Sequence, residues 1–486
     1  MKNLSRLLLL GAMSCGLNDV VLATEVTDEG VNHQKFNNSL LSSEENVALP
    51  TEIIIHIASF GRIREGYSME VVSKTWNKAF QQDAIWQHYA KRIPGYIRAQ
   101  EESQTENPQS HANSRRILQK LLMPKVYKLP SEEDEISHIN AISEDGRTMT
   151  GNAFGRKLFV FKEKEGIDYD FTLNPGEGSA ALGMSTDGKA IVGFVKNSIN
   201  RNKEAFIKIG NAPKTILAPL NGGRLSYAVG VSDDYKTVAG IALEGFNQRP
   251  KAVVWKVDSG AQLTLDNFIG ADKRSQVIGI SKNGQFVAGT MLNPKTKKQD
   301  GFVWDLENNL MSYLNTHKGS ISAISASGEK VAGVARNLET KRDESFIYDI
   351  PNHQVQFLGT LNDGHHSEVT GLSADGKVAV GYSFDGSKKQ EEDTIEHITE
   401  DPTPDTHASF IYYGNGIGMQ PVEKLLNGQL LEEKYPFAHL KVSGNGTIIT
   451  HGEFLGWYAY IPRYDILEEQ GFRLLEHNAH PNNQVG

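Results

Sequence analysis

The chain has 486 residues, which is too long for one compact core of ordinary design, so a repeat fold, a barrel or several domains are expected. Its net charge is −9, with 22% charged residues, which argues against nucleic acid or an anionic membrane surface as a partner. The 46 Gly residues and a hydrophobic fraction of 39% are typical of a folded, turn-rich chain and favour β structure.

Residues 1–23 have the outline of a signal peptide. Lys2 and Arg6 precede a short apolar run from Leu7 to Leu17, and small residues surround Ala23. A bilayer span needs about 20 apolar residues, so this run is too short and no transmembrane segment is expected in the mature chain. We therefore expect export and cleavage after Ala23, which would make the protein secreted or periplasmic.

A second interpretation of the N-terminus involves Cys15. The stretch "AMSC" resembles a weak lipoprotein cleavage box with Cys15 as the lipidated residue. Because Cys15 is the only cysteine, an intrachain disulfide and a thiolate metal site are both excluded. A buried or frayed N-terminal helix is the remaining alternative.

A helical module is predicted at residues 46–96, between a polar linker at 24–45 and a linker with one short helix at 97–124. Ile53, Ile54, Ile57 and Phe60 have the spacing of one helix face, which Pro50 can start at its first turn. The pattern continues in two further short helices, which carry Val72, Trp76, Phe80, Ile85, Trp86 and Tyr89. A unit of three helices is expected.

This module resembles an F-box, whose pattern is Leu-Pro-x-Glu, an aliphatic helix, Val-Ser-Lys-x-Trp and, after an Asp, an aliphatic-Trp pair. The matching residues are Leu49, Pro50, Glu52, Ile53, Ile57, Phe60, Val72, Ser73, Lys74, Trp76, Asp83, Ile85 and Trp86. In that family the unit binds a Skp-type adaptor of a cullin-based ubiquitin ligase. The resemblance implies adaptor contacts by Leu49, Pro50, Ile53, Ile57, Val72, Trp76 and Trp86. The alternative is a module whose aromatic residues only fill its own core.

A Ser-x-(Asp/Asn)-Gly stretch, with some variation, recurs seven times in the rest of the chain. Its serines are Ser143, Ser185, Ser232, Ser281, Ser325, Ser373 and Ser443, separated by 42, 47, 49, 44, 48 and 70 positions. A period near 46 indicates a repeat architecture. Asp-Gly or Asn-Gly between two apolar runs is typical of a hairpin turn, so each repeat is expected to open with a β-hairpin.

A second apolar stretch follows each hairpin and predicts a third strand. The seven copies read "KLFVFK", "EAFIKI", "KAVVWK", "DGFVWD", "ESFIYD", "ASFIYY" and "GWYAYI". Shorter apolar runs such as "TILAPL" supply a fourth strand. Seven units of four strands favour a mainly β protein, with a seven-bladed β-propeller over residues 125–463. A β-solenoid is the alternative.

These two stretches resemble the HAF repeats of bacterial extracellular proteins, in which Ser-x-Asp-Gly-x-x-x-x-Gly alternates with Ala-Phe-x-Trp. The resemblance covers residues 130 to 463. The hairpins also resemble the Asp-boxes of sialidases, but Gly follows Asp directly and the Trp of that motif is missing, so sialidase activity is not supported.

Three further expectations concern the packing of the propeller. Trp255 and Trp304 occupy equivalent third strands and should be buried. Residues 464–486 are charged and are expected to form a C-terminal tail, which leaves the last blade one strand short. We predict that Val126 to Leu129 supplies this strand by pairing with Trp457 to Ile461, because an open ring would expose two unpaired edges.

No set of side chains predicts a catalytic, metal or cofactor site, and the chain is not expected to be an enzyme. His365 and His366 are suitable metal ligands, but they lie in a turn where a solvated loop is the simpler explanation. The acidic run from Lys388 to Asp405 lacks the spacing of a calcium loop and is interpreted as an inserted solvated loop.

The sequence thus favours a non-enzymatic adaptor or substrate receptor. Its F-box-like module would bind the Skp-type adaptor, and its propeller would bind a target protein. Export and a cytosolic partner are compatible if a bacterium delivers the protein to a host cytosol. The alternative is an exported propeller that binds glycan or protein, with the helical unit as a spacer. A propeller hydrolase or lyase is a remote third possibility.

Overall fold

The computed structural model describes residues 22–27, 30–34, 83–106, 114–130, 136–153, 157–169, 178–197, 199–245, 249–265, 268, 275–315, 319–386, 407–426, 440–450 and 457–469. Cys15, most of the predicted F-box segment and the acidic insertion lie outside these ranges. The last residues of the expected C-terminal tail do so as well.

Seven antiparallel four-stranded sheets form the blades of a β-propeller, as the repeats predict. We number the blades 1 to 7 by the chain order of their first strands, which are the innermost. Blade 1 contains β4 Ile136–Ile142, β5 Thr148–Ala153, β6 Lys157–Lys162 and β7 Gly166–Tyr169. Blade 2 contains β8 Ala180–Met184, β9 Ala190–Lys196, β10 Lys203–Ile209 and β11 Thr215–Leu217. Blade 3 contains β12 Ser226–Val231, β13 Thr237–Glu244, β14 Arg249–Lys256 and β15 Gln262–Thr264.

The later blades have the same order. Blade 4 contains β16 Ser275–Ile280, β17 Phe286–Leu292, β18 Gln299–Asp305 and β19 Leu310–Tyr313. Blade 5 contains β20 Ser320–Ile324, β21 Lys330–Arg336, β22 Asp343–Asp349 and β23 Gln354–Gly359. Blade 6 contains β24 Ser367–Leu372, β25 Val378–Phe384, β26 His407–Tyr413 and β27 Gly418–Pro421. Blade 7 contains β28 Lys441–Val442, β29 Ile448–Thr450, β30 Trp457–Tyr460 and β3 Lys125–Lys128.

The recurring serine is the residue that fixes each hairpin. All seven Ser side chains are buried, with at most 1% exposure. In blade 4, Ser281 Oγ donates to Asn283 Oδ1 at 2.6 Å and accepts the Phe286 N–H at 2.9 Å. Blade 5 differs only in that Ser327 replaces the Asp or Asn. Because the hydroxyl uses both its donor and an acceptor inside the turn, its burial leaves no unsatisfied polar group.

Hydrogen bonds between these turns join neighbouring blades at one end of the propeller, here called the turn face. In blades 1 and 3 the residue after the Ser donates the bond: Glu144 N–H donates to the Thr186 carbonyl at 2.7 Å, and Asp233 N–H donates to the Lys282 carbonyl at 2.8 Å. The Asn445 N–H of blade 7 donates to the Glu144 carbonyl at 2.8 Å. The last of these bonds links the final blade to the first, so the ring is closed.

Blade 7 is built from both ends of the propeller domain, as predicted. β3 pairs antiparallel with β30, with Val126 opposite Ala459 and Tyr127 opposite Tyr458. The rings of Tyr127 and Tyr458 stack with centroids 4.9 Å apart. The predicted burial of Trp255 and Trp304 is also confirmed, since each is 2% exposed.

Helices pack against this closing blade, the first within the helical module predicted at 46–96 and the other two almost entirely within the linker with one short helix predicted at 97–124. They are α1 Asp83–Ala90, α2 Tyr96–Glu106 and α3 Ser114–Leu121. Ile117, Leu118 and Leu121 of α3 are buried in one cluster with Tyr460 of β30. The polar α2 buries Tyr96 and Ala99, and it also buries Arg98 and Ser103. Polar residues thus form part of its buried face, which explains why its composition resembles that of a linker.

The regions before the helices and after the last blade carry further elements. Two strands, β1 Leu22–Thr27 and β2 Gly30–Gln34, form a hairpin inside the predicted signal and linker region. The expected tail starts with a helix, α5 Tyr464–Glu469, which follows the short α4 Val422–Leu425. Tyr464 and Leu467 lie at i and i+3 and are both buried, so the beginning of the tail belongs to the core. None of the helices in the described ranges is long and apolar enough to cross a membrane.

Candidate functional site

Of the residues assigned to adaptor contact, the structure describes Trp86 alone. Trp86 lies on α1, is 1% exposed and belongs to the core cluster that joins the helices to blade 7. Its side chain therefore packs inside the protein and supports the module from within. Leu49, Pro50, Ile53, Ile57, Val72 and Trp76 lie outside the described residues.

A groove of about 1320 Å³ runs between the outer parts of blades 4 and 5. We call it the blade 4–5 groove. Its two walls are the outer strand β19 and the outer strand β23, and its ends reach both faces of the propeller. The residues that line it are Asn293, Lys295, Ser312, Tyr313, Leu314, Asn315, Arg336, Asn337, Leu338, Glu339, Glu344, Tyr348, His353, Val355, Phe357, Leu358 and Gly359.

The connector between blades 4 and 5 contributes to the wall of the groove. Between blades 2 and 3 the connector places Leu220 in the inter-blade core, and its Ala218 carbonyl accepts a bond from Trp255 Nε1. Between blades 5 and 6 the connector residue Leu361 is buried in the same way. Only six residues separate Tyr313 of β19 from Ser320 of β20, fewer than in either of those connectors. The first residue of this connector, Leu314, is buried in the core between blades 4 and 5 and also lines the groove.

Aromatic side chains form the floor of the groove. Tyr348 and Phe357 come from blade 5, and Tyr313 comes from blade 4. The buried Tyr313 hydroxyl has no hydrogen-bond partner within the described part of the chain, and burial together with the Asp300 charge raises its pKa. Tyr348 Oη lies 3.2 Å from His353 Nδ1. The floor thus offers flat apolar surfaces beside polar groups that can still form hydrogen bonds.

Two buried carboxylates lie at the end of the groove opposite the turn face. Asp300 accepts bonds from the Asn293 side chain at 3.0 Å and from the Asn315 N–H at 3.1 Å. Glu344 accepts a bond from the Asn337 side chain at 2.9 Å and another from the Thr340 hydroxyl. Both carboxylates therefore hold the loops that connect the second and third strands of their blades.

The same hydrogen-bonded pair of an Asn side chain and a carboxylate occurs away from the groove. In blade 2, the Asn197 side chain donates to Glu204 at 3.1 Å across the corresponding loop. The signal for this pattern is present in the sequence but is not among the motifs predicted above: an Asn directly after the second strand precedes, by seven positions, an acidic residue that is the second residue of the third strand. Because it recurs outside the groove, the pairing of Asn with an acid is explained by loop structure.

A cluster of lysines borders the groove at the same end. Lys295, Lys297 and Lys298 are exposed on the loop of blade 4 and form no ion pair among the described residues. On the neighbouring loop, Arg336 pairs with Asp343 at 3.2 Å. Glu339 of that loop is also exposed and lines the groove, so the basic charge is concentrated on the loop of blade 4. The lysines of that loop favour an acidic group on whatever enters the groove beside them.

The two adjacent histidines considered as metal ligands are held by ring contacts in blade 6. The His365 ring centroid lies 4.0 Å from that of Phe384, and the His366 centroid lies 6.0 Å from that of Tyr382. Burial lowers the pKa of His366. Within the described ranges, no three or more His, Cys, Asp or Glu side chains come together as a metal site.

Comparison with known proteins gives only distant similarities. No family model and no curated protein matches the chain. A protein assigned as TolB from Agrobacterium tumefaciens is 14% identical with a TM-score of 0.35, over 48% of this chain and 87% of that one. TolB from Acinetobacter baumannii is 15% identical with a TM-score of 0.36, over 60% of this chain and 64% of that one. Oligogalacturonate lyase from Vibrio parahaemolyticus is 11% identical with a TM-score of 0.45, over 70% of this chain and 97% of that one.

Proposed function

We propose that this chain is a non-enzymatic binding protein whose propeller holds a protein partner in the blade 4–5 groove. The observation that carries the proposal is the groove itself, an open site of about 1320 Å³ with an aromatic floor and a polar rim. Flat aromatic surfaces contribute much of the binding energy at protein interfaces.

The hydrogen bonds of the two buried carboxylates, Asp300 and Glu344, support a binding role over a catalytic one. A general acid or base has to reach a substrate proton. Asp300 and Glu344 instead accept bonds from Asn293 and Asn337, and the Asn197–Glu204 pair in blade 2, away from the blade 4–5 groove, has the same arrangement. The burial and hydrogen bonding of these carboxylates are thus explained by their role in holding the loops, and no catalytic role is needed.

We extend the proposal to an adaptor role for the N-terminal module. Its basis is the F-box resemblance, with Leu49, Pro50, Ile53, Ile57, Val72 and Trp76 as the proposed contacts with a Skp-type adaptor. The packing of α1 and α3 against blade 7 is consistent with this role, because a substrate receptor needs a fixed geometry between its adaptor end and its target end. In this proposal the exported bacterial protein acts in a host cytosol.

Capture of the full chain by a purified Skp-type adaptor tests the adaptor role. We expect binding at micromolar affinity or tighter, measured by pull-down and confirmed by calorimetry. Leu49→Ala combined with Pro50→Ala should abolish binding and leave the thermal transition of the propeller unchanged. The matched control is Leu310→Ala, since Leu310 is 62% exposed on the outer strand of blade 4 and should have no effect. A folded chain that shows no association would contradict the adaptor role.

The second candidate function is that of an exported propeller that binds a glycan. Tyr348 and Phe357 beside Asn293 and Asn337 favour it, because sugars bind to aromatic faces flanked by amide and carboxylate groups. Binding of oligosaccharides by the full chain, together with failure to bind the adaptor, would support this function.

A further inference from the structure

The outer strand of blade 5 is unusual among the outer strands of the propeller. β23 has six residues, whereas β7, β19, β27 and β3 have four each, and β11 and β15 have three each. It pairs with β22 on one side, and no described strand pairs with its other side. Its outer edge therefore offers a row of backbone N–H and C=O groups to solvent.

Three of the four-residue outer strands carry residues that discourage pairing with another strand. β3 has Lys125 and Lys128, β7 has Asp168, and β27 ends in Pro421. Charged residues, Pro and short length are the usual means by which a protein protects a sheet edge. β23 reads "QVQFLG", is the longest outer strand and contains neither a charged residue nor Pro. Its pairing with β22 has one bulge near the end, between Ser345 and Phe346 of β22.

The groove lies alongside this edge. Val355 and Phe357, two residues apart on β23, both line it, and Val355 is 45% exposed. Alternate residues of a strand share one face. A strand added to the edge of β23 would therefore have alternate side chains over the groove, where Tyr348 and Phe357 form the floor.

Charge at one end of the groove indicates which end of an added antiparallel strand is acidic. β23 runs from the turn face towards the loops that carry Lys295, Lys297 and Lys298. An antiparallel partner begins at those loops, so its N-terminal end lies beside the lysines. These lysines have no acidic partner among the described residues, while Asp300 and Glu344 are already engaged by Asn293 and Asn337.

We propose that an extended peptide segment of a protein partner binds here by pairing with β23, with alternate apolar side chains in the groove and an acidic N-terminal end at the lysines. This inference deepens the proposed function and depends on its protein-binding propeller, but not on the adaptor role. Binding by strand addition draws affinity from the main chain and specificity from alternate side chains.

The test is a titration of the full chain with a peptide that begins Glu-Glu and continues as alternating valine and serine, followed by fluorescence anisotropy. We expect saturable binding that weakens as salt is raised, because exposed charges are screened. The same peptide with Lys-Lys at its N-terminus should bind at least tenfold more weakly.

N-methylated peptides separate main-chain pairing from side-chain capture. One peptide carries methyl groups on the valine nitrogens and the other on the serine nitrogens. In an antiparallel edge pair, alternate N–H groups point towards the partner strand. Strand addition therefore predicts that one methylated peptide loses binding at least tenfold while the other keeps it. Equal loss from both, or no loss from either, would contradict strand addition.

Two protein variants have matched controls. Val355→Lys adds a charge to the edge of β23 and should weaken binding at least tenfold, while Leu263→Lys on the outer strand of blade 3 should not, since Leu263 is also exposed at 38%. Lys295→Glu should weaken binding at least threefold, while Lys282→Glu, exposed on the turn face, should have no effect.

A hyaluronan hexasaccharide is the competing probe. If it binds and the peptide does not, the groove is a saccharide site and the inference is wrong. If the folded chain binds neither probe, the inference is also wrong. Either result leaves capture by the Skp-type adaptor untouched, and a failure of that capture leaves the peptide result standing, so the two failures are distinguishable.

Discussion

At the scale of single residues, the buried serine hydroxyls hold the hairpins through bonds to a side chain and to a backbone N–H five positions on. Ser373, for example, donates to Asp375 at 2.6 Å and accepts from the Val378 N–H at 3.0 Å. The turn also needs a residue with a positive φ, which is Gly376 here at 64°. In blade 3 the equivalent residue is Tyr235, at a φ of 60°. Tyr235 keeps this conformation while its hydroxyl bonds Asp187 of the neighbouring blade at 2.6 Å.

Removal of one serine hydroxyl should destabilise the propeller measurably. Ser281→Ala leaves the part-buried Phe286 N–H without its acceptor and removes the donor to Asn283 Oδ1, which should cost about 1–3 kcal/mol. Urea unfolding followed by tryptophan fluorescence measures the change. The control Ser312→Ala removes an exposed serine of the groove wall and should change stability by less than about 0.5 kcal/mol. Equal effects of the two substitutions would show that the turn bond is not what stabilises the hairpin.

The bond between Tyr235 and Asp187 should make stability depend on pH in the acid range. Partial burial alone would raise the pKa of Asp187, but hydrogen bonds from Ser185 and Tyr235 hold it at about 2. An unfolded Asp has a pKa of about 3.9. Because the folded value is lower, the stabilisation is present above about pH 4 and is lost as the pH falls through about 2.

Tyr235→Phe removes one of these bonds and should raise the pKa of Asp187. We expect the variant to be less stable than the parent at pH 6, and the difference to shrink as the pH falls from 4 towards 2. Urea midpoints measured across this range check the expectation. A difference that stays constant down to pH 2 would mean that the tyrosine acts through packing and not through Asp187.

At the scale of elements, α2 fastens the first and last blades together on the turn face. Arg98 of α2 pairs with Glu163 of blade 1, and its guanidinium lies 5.1 Å from the Tyr127 ring centroid and 5.4 Å from that of Tyr458, both in blade 7. Glu102 accepts a bond from the Tyr127 hydroxyl at 2.7 Å. Since blade 7 uses strands from both ends of the propeller domain, this helix reinforces the point where the ring closes.

Loss of the Arg98 charge should therefore weaken the whole ring. Burial raises the pKa of Glu163 even though Arg98 and Arg147 lower it, so Glu163 depends on these cations to remain ionised. Arg98→Met leaves that carboxylate with Arg147 alone and should cost about 3 kcal/mol in the free energy of unfolding. Urea unfolding measures the loss, with the exposed Lys91→Met as the control. An Arg98→Met chain as stable as the parent would show that α2 contributes nothing to closure.

At the scale of the whole molecule, the sequence predicts the propeller well because each repeat contains the residues that mark its turns and strands. The Ser-x-Asp-Gly stretches mark the hairpins, Trp255 and Trp304 mark the third strands, and the strand missing after Tyr460 predicts the pairing with β3. These features follow from local chemistry and from the need to pair every edge of the ring.

The helices beside the ring and the groove could not be predicted in the same way. α2 is as polar as a linker, and its burial depends on partners such as Glu163 and Tyr127 that are distant in sequence. The groove lies beside a short connector, between β19 and β20, and beside an outer strand, β23, that is longer than the other outer strands. The effect of either length on the surface appears only when the two blades lie side by side in the fold.

The central claim is that the propeller holds its partner at the blade 4–5 groove, and hydrogen exchange tests it most directly. The full chain is compared with and without the saturating peptide that begins Glu-Glu. The account predicts slower exchange in residues 354–359 and 293–299, with no change in the outer strands β11 and β15. Protection at the Ser-containing turns of the turn face, with none in residues 354–359, would contradict it.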